Sequence, residues 1–231
     1  MKAWHFVRND RKLGYGDNSI VEVGKTYKCE FPYTHKGETC DKPTLCKAGM
    51  HGSEKILDAL YYAAGNIICR VELSGDIVRG DDKVVARERK VLAMIDGEKV
   101  LRKFACMCAL DVIDEWDAPE IVVRYLKTQD DSIRDAALGA ALGAARGTSR
   151  GAAAARDAAR DAALGAARGT SLGAAAARGA AAARGAAWGT SWGTSWSEAR
   201  KKQNARLTRM VNKAIRDANN TSCGVNNTAK E

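Results

Sequence analysis

Residues 135–196 constrain the fold more than any other stretch of the chain. Of these 62 residues, 26 are Ala, 11 are Gly and none is Lys. A four-residue unit recurs, with a small Gly or Asp, two further small residues and then a large one. Gly143–Arg146, Gly147–Arg150 and Gly189–Trp192 are examples. A longer unit overlies it: Gly143–Arg156 (GAARGTSRGAAAAR) returns as Gly165–Arg178 (GAARGTSLGAAAAR), 22 residues further on. On a helix turning about 100° per residue, a step of four overshoots a full turn by about 40°. The six-residue steps from Arg150 to Arg156 and from Leu172 to Arg178 undo that drift. The spacing therefore predicts a helix with Leu138, Leu142, Arg146, Arg150, Arg156, Arg160, Leu164, Arg168, Leu172 and Arg178 inside an arc of about 160°. Ala, Gly, Thr148, Ser149, Thr170 and Ser171 form the opposite side. A repeat of two elevens keeps such a helix almost straight.

A face of small residues lets helices approach closely. Self-association through it is expected, as a rod, a folded hairpin or a bundle; one unbroken rod would be about 93 Å long. Glycine works against the helix. Each interior Gly costs about 1 kcal/mol relative to Ala, so eleven cost about 10 kcal/mol. The Gly-Thr-Ser units are the weakest points, above all Gly189–Ser195. Trp188, Trp192 and Trp196 recur every four residues around them. Two readings stand: aromatic contact with bases or a partner groove, or packing of the tail onto the rest of the chain, since Trp is seldom left in water.

Charge divides the chain in the same place. Residues 1–131 hold 21 Lys+Arg against 22 Asp+Glu, and residues 132–231 hold 16 against 6. The first part is nearly neutral at −1 and the second carries +10, so the whole surplus of +9 lies in the tail. Such a tail points to an anionic partner, nucleic acid or an acidic protein; its bland counterpart is a solvated basic helix. Arginine in place of lysine favours bidentate contact with phosphate or carboxylate. Expected anion contacts are Arg146, Arg150, Arg156, Arg160, Arg168 and Arg178, followed by Lys201, Lys202, Arg206 and Arg209 of a basic amphipathic helix. Ser197 is read as the cap of that helix, which spans Glu198–Ala218 and carries Leu207, Met210, Val211, Ala214 and Ile215 on one stripe. Residues 219–231 read as a polar, disordered tail.

Seven cysteines, an odd number, and an N-terminus without a secretory pattern imply reduced thiols and a cytoplasmic protein. No run reaches 18 apolar residues, so no transmembrane insertion is expected. Cys40, Cys46 and His51, with Cys29 and His35 nearby, lack a C-x-x-C pair, and no metal is assigned.

Residues 1–131 read as an α+β domain with strands first and helices later. Lys2–Val7 and Ile20–Lys28 are expected strands, separated by a loop from Asn9 to Asn18. Phe31–Lys47 reads as an irregular excursion. Ser53 is expected to cap a helix to Ala63. Ile67–Leu73 is a strand closed by a Ser74-Gly75-Asp76 turn, and Lys83–Ile95 alternates as a strand. Gly97–Glu115 is a helix with Val100, Leu101, Phe104, Cys108, Val112 and Ile113 inward. Asp117 caps another, which has Pro119 in its first turn and ends near Thr128. The chain thus divides into a globular domain 1–131, a helical repeat segment 132–196, a basic helix 197–218 and the tail 219–231.

Several motifs of the first domain follow one another in order. They are Trp4-His5-Phe6, Leu13-Gly14-Tyr15-Gly16-Asp17, Cys46-x-x-Gly49-x-His51-x-Ser53, Asp58-Ala59-Leu60, Cys69-Arg70-Val71-Glu72-Leu73-Ser74-Gly75, Asp82-Lys83 and Trp116-Asp117-Ala118-Pro119. Over most of residues 2–131 this set resembles an uncharacterised domain family of phage and prophage proteins. Members of that family often carry an Ala/Arg-rich tail, and Phe31–Thr44 departs from it as a longer insertion. The resemblance implies a phage-derived binding or assembly protein. More distantly, a histidine on the first strand followed by Gly-x-His-x-Ser before a helix is similar to ADP-ribosyltransferase-like folds, RNA 2′-phosphotransferases among them. By that resemblance His5, His51 and Ser53 would be catalytic and line a cleft for NAD or phosphate, with Arg70 or Arg87 adding charge. Outside that alternative no cofactor is implied. The plain reading makes Ser53 a cap and His51 a satisfied buried hydrogen-bonding group.

Overall fold

A computed structural model describes residues 1–14, 17–35, 37–111, 113–115, 117–146 and 194–225. The described residues form two compact units, one from Met1–Gly97 and the chain from Val211 onward, the other from Glu98–Met210. Sheet and helix are mixed in the N-terminal region, and a long helix stands at the C-terminal end.

The first unit is built on a long hairpin. Strands β8 (Ile67–Arg79) and β9 (Val84–Asp96) pair antiparallel across the Gly80–Lys83 turn, where the Gly80 N–H donates to the Lys83 carbonyl at 2.8 Å. Strand β1 (Lys2–Val7) runs antiparallel along β8, with His5 opposite Cys69 and Trp4 opposite Arg70. Strand β9 has two partners on its other edge. Strand β7 (Met50–Gly52) takes its first residues and β4 (Thr26–Lys28) takes Glu88–Lys90. Ser53, just beyond β7, bridges back to Trp4 through two backbone hydrogen bonds of 2.8 and 2.9 Å. The strands therefore curl into a near-closed circuit, β1–β8–β9–β7–β1. Ala3, Val7, Val21, Tyr27, Cys69, Val71, Leu73 and Val91 form its core. Helix α1 (Ile56–Tyr61) packs on β1. Both faces of β1 are thus covered, which is why Trp4 and Phe6 are as buried as Ala3 and Val7.

Several expectations are corrected here. The strand expected over Ile20–Lys28 is divided, because Gly24 turns the chain at φ +88°. Part of the expected Asn9–Asn18 loop is a hairpin, β2 (Lys12–Gly14) with β3 (Asp17–Ile20). Tyr27 fastens the bend: its hydroxyl donates to the Ile20 carbonyl at 2.7 Å and accepts from the Glu22 N–H at 2.8 Å. The excursion after Phe31 holds a second hairpin, β5 (Tyr33–His35) with β6 (Glu38–Cys40). Ser53 is spent on Trp4 and does not cap α1; Lys55 occupies the cap position and makes no side-chain cap bond. Ser74-Gly75-Asp76 is no turn. Gly75, at φ +78°, forms a bulge inside β8 opposite Arg87, and glycine is the residue that a bulge with positive φ requires.

The second unit is helical. Helix α2 (Glu98–Leu110) buries Leu101, Phe104, Cys106 and Cys108. It ends earlier than expected and is followed by a separate 3-10 turn, Ile113–Glu115. Val112, expected inward, lies outside the described residues. Helix α3 (Glu120–Thr128) has Pro119 rather than Asp117 at its cap and ends on Gln129 in the left-handed conformation. Helix α4 (Arg134–Arg146) packs on α3 and buries Ala137 and Ala141, so its small-residue side faces inward. The rest of the repeat, 147–193, lies outside the described residues. Helix α5 runs Thr194–Val225. It is longer than expected at both ends: Ser197 lies within it rather than capping it, and Asn219–Val225 is helical rather than disordered. Among the described residues no helix is long and apolar enough to cross a membrane.

Candidate functional site

Two groups of residues carry candidate chemistry, one in the sheet and one along α5. In the sheet, three strands bring polar groups together. β1 sets His5 beside Cys69 of β8. β9 sets Arg89 opposite Tyr27 and Leu73, both members of the core. β7 brings His51. Arg89 is 4% exposed, and its Nη1 donates to the His51 backbone carbonyl at 2.9 Å. Its Nε is buried with no hydrogen-bond partner. Burial holds the guanidinium down to about 10 and pushes the Cys69 thiol up to about 11. His5 is driven well below the usual imidazole range by burial, then by the charges of Arg89 and His51.

The three residues expected to be catalytic are brought close in the chain's fold but are differently committed. His51 has both ring nitrogens occupied. The Cys46 N–H, which can only donate, points to Nε2 at 3.1 Å, and Nδ1 lies 3.1 Å from the Gly49 carbonyl, which can only accept. The ring is thereby set as the neutral Nδ1–H tautomer. Burial again lowers its pKa. Ser53 is buried and its backbone is pinned by Trp4. His5 is half-buried, and no hydrogen bond to its ring is found among the described residues.

Of the two cations considered as helpers, neither joins this group. Arg70 lies over the Trp4 ring, 4.5 Å from its centroid. Arg87 pairs with Asp76 at 3.2 Å and lies over Phe31. Arg89 is the residue that sequence reasoning missed. It sits in the charge-dense run Val85-Ala86-Arg87-Glu88-Arg89-Lys90, where nothing separates it from Arg87 until the pairing register is known.

The second group lies on α5. At about 100° per residue, Lys201, Lys202, Arg209, Lys213 and Arg216 fall within an arc of about 120°. All five are exposed. Lys213 pairs with Asp217 at 2.7 Å, whereas Lys201, Lys202, Arg209 and Arg216 have no ion-pair partner among the described residues. The other side is covered, with Ala199, Gln203 and Leu207 buried. Val211 is buried too, while Met210, Ala214 and Ile215 are half-buried. Arg206 is set apart from the basic face. It clasps Asp111 with two hydrogen bonds of 2.7 and 3.2 Å, so its fork is satisfied within the chain. Arg150, Arg156, Arg160, Arg168, Arg178, Trp188 and Trp192 lie outside the described residues, as do the side chains of Arg146 and Trp196.

Residues 1–103 match a family model described as a domain of unknown function (DUF7666). The match takes in the whole sheet with His5, His51, Ser53 and Arg89, and stops inside α2, so α5 lies beyond it. No curated protein matches the chain, and no solved structure does.

Proposed function

We propose that the chain is a phage-derived binding and assembly protein whose C-terminal part holds nucleic acid. The observation that carries this reading is the basic face of α5. Lys201 to Arg216 spans about 22 Å of helix at about 1.5 Å per residue, a length that meets several consecutive phosphates. The side of α5 that a membrane would need, around Ala199, Gln203 and Leu207, is already covered. Charge without a free apolar face favours a polyanion over a lipid surface. The arginines of the repeat extend the same chemistry in sequence, and its small-residue side is suited to pairing with another helix.

The alternative, an ADP-ribosyltransferase-like enzyme using NAD, draws less from the geometry. Both ring nitrogens of His51 are committed to backbone, and the charges acting on His5 are cationic. Duplex DNA binding by the full chain, measured across salt concentrations, tests the main reading. Replacing Lys201, Lys202 and Arg209 with Gln is expected to flatten the plot of log K against log salt by about 2.7, at about 0.9 per lost contact. An unchanged slope and affinity would remove α5 from the account, and tighter binding to anionic vesicles than to DNA would replace nucleic acid with membrane.

A further inference from the structure

Arginine stays protonated in the interior of a protein, so a buried guanidinium needs a counter-charge. Arg89 has none among the described residues. The groups whose charge reaches it are Cys69 and Tyr27, and neither supplies an anion. The Cys69 thiol is pushed up to about 11 and stays neutral. The Tyr27 hydroxyl is used up by the Ile20 carbonyl and the Glu22 N–H. The next neighbour makes the deficit larger, since the Arg11 cation also acts on Cys69.

Arg102 provides a control within the same chain. It too has a buried Nε without a partner, but it pairs with Glu98 and Asp131, so its charge is met. What distinguishes Arg89 is the missing carboxylate. One edge of its fork is taken by the His51 carbonyl, and the Nε side is left over. His5, on which the charge of Arg89 acts, is half-buried and has a neutral ring able to donate one N–H.

We propose that Arg89 and His5 form a binding site for a small oxyanion, a phosphate or carboxylate group, inside the sheet of Met1–Gly97. The group docks on the Nε side of the guanidinium, where two parallel N–H donors match two oxygens, and receives a further hydrogen bond from the His5 ring. His51 acts as a positioning residue: its carbonyl orients Arg89, and the Gly49 and Cys46 backbone holds its ring. This site is independent of the basic face of α5 and binds a single anionic group rather than a polymer.

The test uses the full chain, whose three histidines give few imidazole signals to resolve. Inorganic phosphate, acetate and chloride are titrated separately at constant ionic strength, with the His5 signal assigned by its loss in His5→Gln. Saturable movement of the His5 signal with phosphate or acetate, with His35 and the chloride series unmoved, is the expected result. Phosphate alone or acetate alone would tell which oxyanion the site takes. Arg89→Lys is expected to weaken the response about tenfold, as one charged hydrogen bond is lost, and Arg89→Met to abolish it. The Lys201, Lys202 and Arg209 triple variant is expected to respond like the parent chain, which separates this site from the tail. A His5 signal indifferent to both oxyanions overturns the proposal, as does a response that persists in Arg89→Met or vanishes in the triple variant. Should Arg89→Met fail to fold, the parent titration and Arg89→Lys decide.

Discussion

The sheet unit and the helical unit use the same residue types in opposite ways. In the helical unit, Arg206 meets Asp111 and Arg102 meets Glu98 and Asp131, so buried or half-buried cations there are structural fastenings. In the sheet unit Arg89 is the more deeply buried and has no carboxylate. Glycine differs in the same sense. A methyl group added to Gly49 would lie 2.5 Å from Val85, at a backbone φ of +117°, whereas one added to Gly139 of α4 meets nothing within 4 Å. The contrast teaches that the sheet places Gly49 by necessity, while Gly139 of α4 answers no packing need.

Substitutions can break or sharpen this comparison. Gly49→Ala is expected to cost the most, about 3 kcal/mol or more in urea unfolding, from strain at positive φ together with overpacking. A loss under about 1 kcal/mol would mean that the turn holding His51 adapts freely. Arg206→Met should cost about 2 kcal/mol by stranding Asp111, a figure held down by the partial exposure of both groups. Arg89→Met should cost under about 1 kcal/mol or even stabilise the unit, because it removes an unpaired buried charge. Equal losses at the two arginines would erase the distinction between them.

Acid should act through the sheet. His5 on β1 and His51 on β7 are both held below the usual 6.5, with Arg89 of β9 facing each of them and Lys83 adding to the effect at His51. As pH falls below about 6.5 the unfolded chain takes up these protons first. Stability is therefore whole above that pH and declines below it, by up to about 1.4 kcal/mol per pH unit for each histidine. His5→Gln should remove its share of that slope, and a profile that stays flat to pH 5 would contradict the burial of the two rings. The smallest effect has the opposite sign. Gly139→Ala should stabilise α4 by about 0.5–1 kcal/mol, read as a higher unfolding midpoint.

How much of this was legible in sequence depends on whether the deciding contacts are local. Lys2–Val7 reads correctly because its residue types suit a strand whichever face is covered. Ser74-Gly75-Asp76 carries the signature of a turn, yet a bulge asks for the same glycine, and only the partner strand separates the two. Ser53 has the chemistry of a cap, but a bridge to Trp4, 49 positions away, claims it first. Arg89 shows the limit most clearly. Its burial follows from the register against Tyr27 and Leu73, which no local pattern encodes. On α5 the basic face was readable from spacing alone, whereas the removal of Arg206 from that face depends on Asp111, 95 residues earlier.

The two-partner edge of β9 also carries a kinetic consequence. The β8–β9 hairpin closes a short turn and pays little loop entropy, while β1, β4 and β7 must each return from far along the chain. The hairpin is therefore expected to form first and to template the other three strands. Mutations along the β8–β9 ladder should slow refolding, and those that loosen the Trp4–Ser53 closure should mainly hasten unfolding.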